Sequence, residues 1–494
     1  MISGFKAIPP AKSRIDFIMS AGLCVLAAVV YGLTLSHGVY PGESARLMAM
    51  FSGVEPIELP IHPVFGACVS GLSRVSVFSL PVRLNLFSTL CSLVSVVLMY
   101  RLMSFLIHEI ISEEYSVEYA PRVSVWAGAV SALAFMFAVP VWQAATRLQY
   151  QSFALMLAMV SGALLVFYAV RRWRFLLVLF AVLQGLSVVE SVYFVPLSPV
   201  FLTFLIFVLW KKGDLSLSRV AWMGALSVLV ALSLYYFFAW RFFVTRDCEL
   251  LGFTRVTDVM LGVWKSQIRQ LESGLPRVNW LILLLMSVVP WVAGGLASFR
   301  ALNNERSWSQ YILHVTLCVL TVLGLTNVAI SPWGILNPIG RLPVYSYAML
   351  AMTAGYLVAY WYLLLKVERP RRGHETSVLT KQTGDWLGLI LTYPMAAIVV
   401  LAAIINVFEC RGGRGAFADR CAKEILDRLG TRTWFVTDGT LDPHLQILAK
   451  ERGMELNLLC LQKDMSPFYL KSMARRVEEK KLFGGLCCMV NDKM

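Results

Sequence analysis

The chain has 494 residues, 58% of them hydrophobic and 15% charged, with a mean hydropathy of +0.67, which is more apolar content than a water-soluble core requires. The formal charge of +14 is scattered through short loops between apolar runs rather than gathered on one face, so it argues against a nucleic-acid partner and for topology signals and contacts to acidic membrane lipids. The ten cysteines form no C-x-x-C ladder, so no structural zinc site is implied, and Cys24, Cys68, Cys91 and Cys318 lie in or beside apolar runs as small hydrophobes.

The apolar residues fall into runs of about twenty, the length a helix needs to cross roughly 30 Å of hydrocarbon. The first, 15–35, is too long for the core of a signal peptide and lacks a small-residue cleavage site, so it reads as a retained helix. A polar, proline-containing loop over 36–83 follows, then spans at 84–107, 123–139 and 152–170. Between Phe175 and Trp210 the run is twice one span's length and holds Glu190 and Pro196, which predicts two helices joined by a tight turn. Further spans are expected at 220–238, 280–299, 311–330, 344–365 and 386–408, about eleven in all.

Lys and Arg in the short loops set the orientation. Five basic groups, around Lys12 and Arg14, Arg171 to Arg174, Lys211 and Lys212, Arg300 and Arg306, and Lys366 to Arg372, fall on one side. The N-terminus is therefore expected in the cytoplasm, and the 36–83 loop, the 241–277 loop and everything after the eleventh span outside it. The tail changes composition: a helix over 417–429 stopped by Gly430, a strand over 433–436, a turn at Asp438 and Gly439, a helix over 443–452 and a strand near 456–461. The expected organisation is an all-α polytopic membrane region over 1–408 and a small α/β extracytoplasmic domain over 409–494. Cys410 and Cys421 can pair there if it faces an oxidising compartment.

Chemistry is concentrated in the polar loops. Glu43 follows Tyr40, Pro41 and Gly42 just beyond the first membrane helix, with Arg46 nearly one helical turn on. A carboxylate there can act as a general base on a hydroxyl or hold a sugar, or it can simply begin an interfacial helix at the favourable dipole end. His62, between Ile61 and Pro63, is a phosphate or sugar donor or a structural hydrogen-bonder. Trp142, Gln143, Arg147, Gln149 and Tyr150 form a polar and aromatic cluster that suits a sugar or makes an ordinary interfacial belt. Glu190 lies inside an apolar run, where an acid is a functional candidate unless a turn exposes it. Arg341, in the short loop before the 344–365 span, is a candidate partner for a lipid phosphate. No phosphate-cradling Gly-rich loop, H-E-x-x-H or G-x-S-x-G motif is present, no metal-ligand set stands out, and no cofactor is implied.

The long first loop with an acid at its start, about eleven spans and a soluble tail resemble the GT-C class of membrane glycosyltransferases. Within it the chain resembles the protein O-mannosyl-transferase-like family of bacterial membrane proteins. That family carries D-S-G-E after the first helix, a Pro-rich H-P-P-G-Y-P-L segment, a W-x-Q-A…E-V-Y stretch and a G-L…N-H segment. The matching stretches here are Tyr40 to Glu43, Pro60 to Phe65, Trp142 to Tyr150, and Gly185-Leu186 to Ser191. Tyr40 stands in the place of the family's first acid, Gln149 in that of the later Glu, and Glu190-Ser191 in that of the Asn-His pair.

The resemblance implies an inner-membrane enzyme that transfers a sugar, mannose in the family's name, from a polyprenyl-phosphate carrier to an extracytoplasmic acceptor, protein or glycan. Glu43 is then the candidate base, and Arg46, His62, Arg147, Gln149, Tyr150, Glu190 and Arg341 are candidate substrate-binding residues. Two rivals remain: a catalytically silent relative that binds a glycolipid or assembles with partners, favoured by Tyr40 and Gln149, and a lipid-linked sugar transporter, disfavoured because no internal repeat stands out.

Overall fold

The structure, a computed structural model, describes residues 14–114, 120–274, 344–366, 399–401 and 403–460, together with positions 317, 318, 321, 469, 471 and 473–475. The spans expected at 280–299 and, but for three residues, at 311–330 lie outside the described residues, as do Arg341 and 386–398.

Helix α1 (Arg14–Thr34) leads into two short helices, α2 (Glu43–Phe51) and α3 (Pro63–Ser73), which occupy the first loop. Next come α4 (Leu80–Glu114), α5 (Ala120–Phe137), α6 (Val139–Thr146), α7 (Tyr150–Arg171), α8 (Arg174–Glu190), α9 (Phe194–Lys211) and α10 (Leu217–Phe243). Among the described residues α1, α4, α7, α9 and α10 are long and apolar enough to cross a membrane. The α5 and α6 pair, bent by 65° at Ala138, makes a sixth if it is one span. Pro140 lies in the first turn of α6, where a missing N–H costs nothing, and so starts a helix in a new direction. The 175–210 run divides into α8 and α9 at Ser191 to Tyr193, and Pro196 falls in the first turn of α9 for the same reason.

A continuous apolar core runs through α1, α4, α5, α6, α7 and α13 (Val344–Lys366), with Tyr31, Tyr100, Phe135 and Trp142 among its fully enclosed side chains. Their polar ends are matched: Tyr31 donates to the Met136 carbonyl at 3.1 Å and the Trp142 indole to Thr34 Oγ1 at 2.8 Å. Trp142 is therefore a core residue rather than part of a sugar-facing cluster, a correction that follows from its satisfied, enclosed ring.

Two helices lie in the loop after α10: α11 (Arg246–Leu251) and α12 (Val256–Gly274), the latter packed against α10. In the tail, a 3-10 turn over Gly412–Gly415 opens onto α14 (Ala416–Leu429), β1 (Trp434–Thr437), α15 (Asp442–Glu451) and β2 (Asn457–Cys460). The strands pair in parallel, Trp434 opposite Asn457 and Thr437 opposite Cys460, as a crossover through a helix requires. Ala422, Leu426, Leu445, Leu448 and Leu458 fill the space between the two helices and the strands. Cys410 is buried and Cys421 exposed, both as free thiols.

Candidate active site

Glu43 is the first residue of α2, and Gly42 before it has φ +89°, a conformation in which any L side chain is strained. The glycine turns the chain sharply so that the carboxylate is carried on the helix's first turn, where the dipole favours negative charge. Glu43 stays exposed to solvent, yet is partly buried by the protein around it. That burial raises its carboxyl above the usual carboxylate range, with the Gln151 amide, 3.5 Å away, and the Arg46 charge offsetting part of the effect. The Arg46 guanidinium itself pairs with Glu58 at 3.3 Å, both exposed at the rim.

Tyr150, the first residue of α7, and Tyr193, in the turn between α8 and α9, lie within electrostatic reach of Glu43. Tyr345, near the start of α13, stands beside Tyr193 with ring centroids 6.1 Å apart and donates to Ser191 Oγ at 3.1 Å. The imidazole of His62 stacks on Tyr150 at 3.7 Å between centroids and 16° between planes. Burial pushes His62 down to about 4, so it is neutral near pH 7, and its Nδ1–H donates to the Glu190 carbonyl at 2.7 Å. Nε2 then carries the ring's lone pair.

Glu190 is fully buried at the end of α8, and its Oε2 accepts from the Val64 and Phe65 amides at 2.8 and 3.1 Å. It caps the N-terminus of α3, so hydrogen bonds and the helix dipole, rather than a turn into solvent, offset the cost of burying the carboxyl group. Its other oxygen, Oε1, has no hydrogen-bond partner among the described residues and stands 3.9 Å from His62 Nδ1. His62, Tyr150 and Glu190 thus come from three separate segments of sequence and meet in one cluster.

Arg147 caps α6, with Nε donating to the Gln143 carbonyl at 3.1 Å and its guanidinium 4.0 Å above the Tyr40 ring, a cation–π pair. Gln149 is partly buried at the start of α7, its backbone N–H donating to Ser88 Oγ at 3.2 Å. Asn85 of α4 ties this turn to the first loop by accepting from the Leu148 amide and donating to the Ser36 carbonyl, each at 2.8 Å. Arg341 lies outside the described residues.

Sequence reasoning missed the residues that α12 brings over the cluster. Gln267 donates to the Ile61 and Val189 carbonyls, both at 3.1 Å, and accepts from Tyr235 at 2.6 Å. Gln270 donates to the Tyr150 hydroxyl at 3.0 Å. The one sequence signal for them is the helical spacing of Val259, Val263 and Gln267, which are buried on one face of an otherwise polar segment.

Residues 58–216 match the model of the protein O-mannosyl-transferase TMEM260 N-terminal domain. The family resemblance read from the sequence is borne out over that segment, which holds His62, Arg147, Gln149, Tyr150 and Glu190; Glu43, Arg46 and the tail lie outside it. Among solved structures the chain is similar to the crystal structure of ArnT from Cupriavidus metallidurans bound to undecaprenyl phosphate. The identity is 13%, over 95% of this chain and 90% of that one, with a TM-score of 0.47. No curated protein matches.

Proposed function

We propose that this chain is a membrane glycosyltransferase that moves a sugar, mannose being the first candidate, from a polyprenyl-phosphate donor to an acceptor hydroxyl on the extracytoplasmic side of the inner membrane. The reading rests on the Glu43 carboxylate: it is open to solvent, raised in pKa by partial burial, and within electrostatic reach of Tyr150 and Tyr193, beside a segment matched by an O-mannosyl-transferase family. Glu43 takes the proton of the acceptor hydroxyl as its oxygen bonds to the sugar's anomeric carbon. The bond from that carbon to the phosphate oxygen breaks, and the phosphate leaves on its lipid. Arg147 and Arg341 supply positive charge toward that phosphate, while Arg46, His62, Gln149, Tyr150 and Glu190 shape or line the substrate site. A lipid donor enters sideways from the bilayer, so no nucleotide fold is required. In this reading the N-terminus is cytoplasmic and the α/β tail an extracytoplasmic domain.

A second reading, a silent relative that binds a glycolipid, is favoured by one contact. Tyr40 holds the place of the family's first acid and is covered by Arg147, so that position offers no carboxylate. Purified protein with labelled polyprenyl-phosphate sugars separates the two: transfer that Glu43→Gln abolishes supports the enzyme, and donor binding without transfer supports the silent relative.

A further inference from the structure

The tail grips both ends of the segment that carries Glu43. Asp419 of α14 is buried, and its Oδ2 accepts from the Val39 amide at 3.0 Å while its Oδ1 meets His444 Nδ1 of α15, also at 3.0 Å. Val39 lies only four residues before Glu43. The contact is close enough to dictate the sequence opposite it: a Cβ on Gly38 would fall 1.7 Å from Asp419 Oδ2, and Gly38 has no positive φ, so glycine is needed there for space alone. Next to it, a Cβ on Gly412 would fall 2.4 Å from the Ser36 amide nitrogen, and one on Gly415 would fall 2.9 Å from both Pro41 and Tyr40. At the far end of α2, Lys450 Nζ of α15 donates to the Ser52 carbonyl at 2.6 Å, and Ser52 is that helix's C-cap.

We infer that the tail is a positioning element for Glu43, with Asp419 and Lys450 as its positioning residues: together they fix the entry and exit of α2 and so hold the carboxylate in place. Each acts through the backbone of the first loop, at the Val39 amide and the Ser52 carbonyl. α2 has only nine residues, too short to be stable on its own. Its geometry therefore depends on what packs against it. The consequence for catalysis rests on the transferase reading, whereas the grip itself does not.

Two readouts in full-length protein in lipid nanodiscs keep these apart. Hydrogen exchange at the Val39 amide tests the grip directly. A hydrogen bond to a charged acceptor contributes about 1.5–3 kcal/mol, so Asp419→Ala should speed that exchange about 10- to 100-fold and extend the loss of protection into α2, while Asp419→Asn, which keeps an acceptor oxygen, restores most of it. Sugar transfer tests the consequence: Asp419→Ala and Lys450→Met should each lower kcat about tenfold with donor KM nearly unchanged, and Asp419→Asn should recover most of the rate. Gly38→Ala should be damaging alone but add nothing to Asp419→Ala, because that truncation removes the atom its methyl strikes. Unchanged Val39 exchange in Asp419→Ala overturns the grip whatever the protein transfers. Released exchange with unchanged kcat in both variants overturns the positioning role. A wild type that transfers nothing overturns the transferase reading, and the exchange result then judges the grip by itself.

Discussion

Replacing Glu43 with Gln keeps the side chain's volume and hydrogen-bonding reach while removing its ability to take a proton. The structural cost is small: the residue is accessible, its contact with Gln151 is long at 3.5 Å, and the lost charge at the first turn of α2 contributes about 0.3–1 kcal/mol. A general base contributes about 10²- to 10⁴-fold to rate, or roughly 3–5 kcal/mol of barrier, so the chemical effect exceeds the structural one several-fold. Turnover with a polyprenyl-phosphate sugar should fall by that factor while expression, membrane insertion and thermal stability stay near wild type. The wild-type rate should also show an acidic limb, because protonated Glu43 cannot act as base. Since burial raises its pKa, that limb should lie above the ordinary carboxylate range. A Glu43→Gln variant as fast as wild type, or a wild-type limb in the usual carboxylate range, refutes the assignment.

Removing Arg46 takes away a charge that lowers Glu43's pKa, so Arg46→Ala should move the acidic limb to higher pH; as an exposed pair, Arg46 and Glu58 should change stability by less than about 1 kcal/mol. Glu190→Ala strands the Val64 and Phe65 amides, and thermal unfolding in detergent should register a loss of about 2–5 kcal/mol, with Glu190→Gln milder. His62 has a folded pKa of about 4 against an ordinary 6.5, so the unfolded chain binds its proton first and stability should fall between pH 6.5 and 4 by about 3 kcal/mol. In His62→Gln that part of the pH dependence should vanish; an unaltered stability profile would show the ring titrates normally. Reporter fusions at Lys12 and Gly430 should report opposite faces of the membrane, and a shared face refutes an odd number of spans.

Local chemistry made part of this architecture legible. Glu190 and Pro196 interrupt an apolar run that is otherwise uniform, and α8 and α9 divide between them. Gly430 and the alternating apolar stretches after it mark where α14, β1, α15 and β2 begin and end to within a residue or two. Trp142 was not legible, because an aromatic between two spans has the same sequence signature at an interface as in a core; only the Thr34 hydroxyl across from its indole decides. The bend at Ala138 has no sequence mark of its own, because Pro140, the second residue of α6, serves as well to end one helix as to open another.

At the site, the stretches around His62, Tyr150 and Glu190 stand out as motifs, but nothing in one sequence says that an imidazole will stack on the tyrosine while its Nδ1–H reaches the Glu190 carbonyl. Glu190 reads as an anomalous membrane acid, whereas the amides it caps lie more than a hundred residues earlier. Gln267 and Gln270 sit on a half-polar helix with no motif, and their importance arises only from where α12 packs.

Sugar transfer itself is measured as turnover by the purified protein in nanodiscs supplied with a panel of labelled polyprenyl-phosphate sugars. Appearance of labelled acceptor, or of free polyprenyl phosphate matched one for one by released or transferred sugar, is expected for the wild type and should be about 10²- to 10⁴-fold slower in Glu43→Gln. Donor binding with no turnover on any sugar in the panel would rule out a transferase and leave a silent relative, with Tyr40 held beneath Arg147.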